Sequence, residues 1–151
     1  MKRWVWALAA LWLAACGGRE RGAPESGSDY LQEVQQVLLD LRVLDKQIAS
    51  QVTADTLDAG RIVPLIRDQF RPALAGLRQR VEVLKPDSAF TPVNQQLLRY
   101  LDLRLKAYDL AIRGGQEGRQ ELFEEFAQLQ LRADTEGRNL EEALRLARQR
   151  R

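Results

Sequence analysis

The chain has 151 residues, 23 basic and 21 acidic side chains, no histidine and a single cysteine. That length suits one domain of ordinary size. The missing histidine removes the commonest general base and transition-metal ligand, and with them a Ser–His catalytic pair and the Glu-x-x-His sites of di-iron bundles. One cysteine excludes an intramolecular disulfide framework and a cysteine metal cluster.

Lys2 and Arg3 open the chain and are followed by an apolar run from Trp4 to Ala15, then by Cys16, Gly17 and Gly18. A basic start, a short apolar stretch and small residues at a cut point are the layout of an export signal. The run is too short for a transmembrane helix, which needs about 20 apolar residues.

Within that layout, Leu13-Ala14-Ala15-Cys16 resembles the lipobox of bacterial lipoproteins. The resemblance covers the first 18 residues and implies that Cys16 carries a diacylglycerol, that residues 1–15 are removed, and that the new amino group is acylated. It further implies a membrane partner through the lipid on Cys16. With Gly17 rather than Asp next in line, the implied location is the cell envelope, on the periplasmic face of the outer membrane if the cell has two membranes. Removing residues 1–15 also takes Lys2, Arg3, all three tryptophans and the only methionine. The remaining 136 residues (151 less 15) hold 21 bases against 21 acids. A net charge of zero, in an exported chain, gives no ground for a nucleic-acid partner.

Residues 17–28, GGRERGAPESGS, lack apolar periodicity and read as a flexible linker, so that 16–28 form the lipidated cysteine and its spacer and 29–151 the folded domain. Tyr30, Val34, Val37, Leu41, Leu44 and Ile48 then recur at steps of four and three, the spacing of a helix buried along one side. Ser28 or Asp29 is its expected N-cap.

A second helix is expected to bury Ile62, Val63, Ile66, Phe70, Ala73, Leu77, Val81 and Leu84, with a kink at Pro72, which has no amide to offer the carbonyl of Asp68 and clashes with it. Arg67, Arg71, Arg78, Arg80 and Lys85 form a basic stripe that could touch anionic head groups. Asp68 and Glu82 interrupt it, which favours a solvated face. Ala73 and Gly76 here, with Ala133 and Gly137 later, suggest close helix approaches or room for a ligand.

Thr91 is the expected cap of a third helix, with Pro92 in its first turn and Gly114-Gly115 as its stop. Val93, Leu97, Leu101, Leu105, Tyr108 and Ile112 make its main face. Leu98, Tyr100, Leu103 and Leu110 widen the apolar arc, and they are the candidate surface for a protein partner. A fourth helix, from about Glu117, carries acids at its start and arginines at its end, matching the helix dipole. It is expected to outrun the others by about two turns. Glu117, Glu121, Glu124 and Glu125 lack the loop of a calcium site and read as a solvated helix start.

The expectation is an all-α, up-down-up-down four-helix bundle without catalytic residues, cofactor or metal. Its expected role is that of a non-enzymatic accessory, scaffold or interaction module in the envelope, with another envelope protein as partner. The alternative is a bundle that binds a small apolar ligand between its second and fourth helices.

Overall fold

A computed structural model describes residues 27–51 and 59–149. The expectations for residues 1–15, for Cys16 and for most of the linker lie outside the described residues. Five helical segments and one π turn follow in order: α1 (Gly27–Gln51), α2 (Ala59–Leu65), a π turn (Ile66–Phe70), α3 (Arg71–Glu82), α4 (Thr91–Glu117) and α5 (Gln120–Gln149). Since α2, the π turn and α3 run on without a break, they form one rod. The fold is an up-down-up-down four-helix bundle, with no strand among the described residues.

The pairings fix this topology. Arg80 reaches Asp40 and Glu33, while the earlier Ala73 and Leu77 lie by the later Leu44 and Gln47, so α3 runs antiparallel to α1. Arg71 meets Asp109 and Arg78 meets Asp102, which sets α4 antiparallel to α3. Gly114 lies against Phe123 and Gly137 against Tyr100, which makes α4 and α5 an antiparallel hairpin with closely packed backbones. Tyr30 touches Asn94 and Asp45 touches Arg104, the parallel pattern of helices on a bundle diagonal. Tyr30, Val34, Leu74, Val81, Leu97 and Leu101 are fully enclosed at the centre.

Just before Pro72, where a kink is expected, stands the π turn, in which the amide of Arg71 donates to the Ile66 carbonyl five residues back. A π turn uses one extra residue, so the inward position after Phe70 falls to Leu74. Ala73, expected inside, is exposed, and Gly76 faces open space. Neither marks a close helix approach.

Two helix ends differ from the sequence reading. Thr91 does not cap α4 with its side chain; Asp87 does the capping, its carboxylate accepting from the amides of Ala89 and Phe90 at 3.0 and 3.2 Å. Asp87→Ala should therefore lower stability by about 1 kcal/mol, read as a shift in urea midpoint at unchanged m value. Nor does α4 stop at Gly114-Gly115. It continues to Glu117 and ends at Gly118, whose φ of 65° is the left-handed conformation that glycine adopts without strain. Glu117 thus belongs to α4, where it pairs with Arg113 and Arg119, and is separated from the other acids of the expected ribbon. Instead of outrunning the bundle, α5 packs Leu140, Leu144 and Ala147 onto the common core.

Candidate functional site

The seam between α1 and α5 is the loose one in the bundle, because their backbones scarcely approach. A groove of about 280 Å³ lies along it. Leu38 and Leu41 on one side and Leu140 and Leu144 on the other supply its apolar lining. Gly137 and Tyr100 meet in its wall, and Arg42, Asp45, Asp134, Arg138 and Glu141 bring charge to its banks. With no side chain at Gly137, the Tyr100 ring sits where a β-carbon would be 3.3 Å away.

Behind this wall lies the one charged side chain in the buried set, Arg104, which is 7% exposed. Its guanidinium donates to the Asp45 carboxylate, to the Tyr100 hydroxyl at 2.9 Å and to the Tyr108 hydroxyl at 3.3 Å. Burial works to lower the pKa of Arg104, yet the Asp45 hydrogen bond and the neighbouring phenol oxygens carry it above the ordinary arginine value. The side chain stays cationic. Burial also raises the pKa of Tyr108, and the nearby guanidinium offsets only part of that rise. Two of the three partners, Asp45 and Tyr100, line the groove, so one buried cation holds two of its polar groups.

Periodicity alone contained the signal for Arg104. It falls in the series Leu97, Leu101, Arg104, Tyr108, at steps of four, three and four, and Tyr100 and Tyr108 flank it one turn away on each side. Arginine at an inward step, between two tyrosines, marks a buried polar network.

The four residues of the expected partner surface are each half-buried. Leu98 and Tyr100 pack against the core, so the wide arc of α4 is largely covered by α2, α3 and α5. Leu103 borders a shallow depression with Leu131, Arg132, Thr135 and Glu136, and Leu131 is 69% exposed.

The basic stripe is mostly spent on ion pairs: Arg67 with Asp68, Arg71 with Asp109, Arg78 with Glu82 and Asp102, and Arg80 with Asp40. The hydrogen bond from Arg80, assisted by Gln36, holds the Asp40 carboxyl below the usual carboxylate range. Such exposed pairs contribute little each; those from Arg71 to Asp109, Arg78 to Asp102 and Arg80 to Asp40 link neighbouring helices.

Among the described residues no group of side chains could hold a metal ion, and no helix is long and apolar enough to cross a membrane. Searches of protein-family models, curated proteins and solved structures found no match to the chain.

Proposed function

We propose that the protein is an exported lipoprotein, moored to a membrane by lipid on Cys16, whose bundle acts as a non-enzymatic interaction module in the cell envelope. One observation carries this reading: Leu13-Ala14-Ala15-Cys16 closing a short apolar run that begins after Lys2 and Arg3. Anchoring raises the effective concentration of a module for membrane-bound partners without adding any contact. The residue inventory supports a non-catalytic role, since the chain past residue 15 has no histidine and its single cysteine is the one to be acylated. On this reading the apolar contact to a partner protein centres on Leu103 and the neighbouring Leu131, the part of the α4 arc that borders open surface.

The test is metabolic labelling with palmitate. Label should enter the wild-type chain and be absent from Cys16→Ser, while wild-type protein fractionates with membranes. Equal labelling of both chains would remove the anchor.

A second reading, binding of a small apolar molecule, draws support from the α1–α5 groove. Its place differs from the expected one: Gly137 lines the groove, but the opposite bank is α1, and Gly76 takes no part.

A further inference from the structure

The topology gathers four chain positions at one end of the bundle. Tyr30 lies against Phe90 with ring centroids 5.3 Å apart, which brings the start of α1 to the start of α4. Arg80 reaches Glu33, which adds the end of α3. The antiparallel α4–α5 hairpin then brings the end of α5 to the same level. Gly27, the first described residue, therefore lies at this end.

This end has its own chemistry. Val83 is 68% exposed and Leu146 40%, with Ala89 and Pro92 also at the surface. Lys85 and Arg148 are exposed and have no ion-pair partner among the described residues. Most acids nearby face a base or a helix amide: Glu33 lies by Arg80, Glu82 by Arg78, Glu142 by Arg145, and Asp87 accepts from two amides, while Glu141 is exposed. Asp29 sits in the first turn of α1, where the helix dipole favours it. At the opposite end, Arg119 pairs with both Glu117 and Glu121, Arg113 pairs with Glu117, and Glu124 and Glu125 are exposed.

From this placement we infer that the end of the bundle formed by residues 83–92 and the last turns of α5 is a docking face for a membrane surface rich in anionic phospholipid. The inference rests on the anchored reading. Fully stretched, residues 17–26 reach about 35 Å, whereas a helix of 30 residues such as α5 is about 45 Å long. A chain held at Cys16 therefore cannot stand on its far end, because the tether would have to run the whole length of the bundle. Lys85 and Arg148 meet the phosphates, and Val83 and Leu146 enter the head-group layer. Each such base strengthens binding to an anionic surface roughly fivefold, an attraction that salt screens.

The test uses the acylated chain in vesicles of phosphatidylcholine and phosphatidylglycerol in equal parts, compared with phosphatidylcholine alone. Fluorophores are placed at Ser88→Cys or Gln149→Cys at the docking end and at Gln116→Cys at the far end, and quenching by nitroxide lipid is read. Quenching should be confined to the docking end, require phosphatidylglycerol, and fade in high salt. Lys85→Gln with Arg148→Gln should reduce the docked-to-free ratio about 25-fold. Equal quenching at both ends, none at either, or no dependence on phosphatidylglycerol would overturn the docking face. Mass spectrometry of the same sample separates the two claims: a chain without acyl groups on Cys16 removes the anchor and the docking face together, whereas an acylated chain lacking end-specific quenching removes the docking face alone.

Discussion

Replacing Asp45 with alanine should destabilise the bundle by about 3 kcal/mol, more than replacing the buried arginine it serves. The reason is which charge is left behind. Asp45→Ala strands the guanidinium of Arg104, which has little access to water and would keep only the two tyrosine hydroxyls. Arg104→Met leaves the Asp45 carboxylate instead, and its side chain is 48% exposed and can be hydrated where it stands. Met also fills most of the vacated volume with a flexible apolar chain. The Met variant should therefore fall within about 1 kcal/mol of the parent or exceed it, as replacements of buried ion pairs by apolar residues often do. Urea unfolding of both variants at one pH measures the difference. Equal losses would mean that water already reaches Arg104, and a larger loss for Arg104→Met would show that the pair itself supplies net stability.

Gly115→Ala should cost about 2 kcal/mol, although alanine is the better helix former. A β-carbon there would stand 2.6 Å from Val63 Cγ2, with Cγ1 at 3.0 Å and Cβ at 3.2 Å. Valine is branched at its β-carbon and has little rotamer freedom in a helix, so it cannot swing aside. The end of α4 must move off α2 or the Val63 backbone must shift. Gly76→Ala is the matched control: it also lies within a helix, but its β-carbon would meet nothing within 4 Å. That change should stabilise by about 1 kcal/mol through helix propensity alone. Opposite signs for the same substitution, measured by thermal or urea unfolding, isolate the close approach from the propensity. Two stabilising results would show that α2 has room to retreat.

The bundle was legible because its information is periodic. Tyr30, Val34, Val37, Leu41 and Leu44 are inside where steps of three and four put them, and the long turns fall close to Gly, Pro and Asp. What escaped the reading was each place where a contact across helices overrides a local rule. Gly114 and Gly115 look like a stop, but packing against Phe123, Leu122 and Val63 requires their missing side chains, so the left-handed turn moves to Gly118. Pro72 announced a disturbance, though its form, a π turn that exchanges Ala73 for Leu74, depends on the neighbours that α3 must meet. The groove itself was not legible at all, for it arises from the separation of two helices nearly a hundred residues apart in the chain.

The diagonal contacts between α1 and α4 set an order of assembly. The α4–α5 hairpin is joined by a single tight turn, and its contacts are local in sequence, so its loop closes cheaply and early. Tyr30–Asn94 and Asp45–Arg104 bridge residues 64 and 59 positions apart and can form only once α4 is in place. The diagonal contacts of α1 therefore close larger loops than its contacts with α3, such as Asp40–Arg80. On the proposed anchored reading, a mechanical load entering at Gly27 would act on α1 first, ahead of the hairpin beneath it.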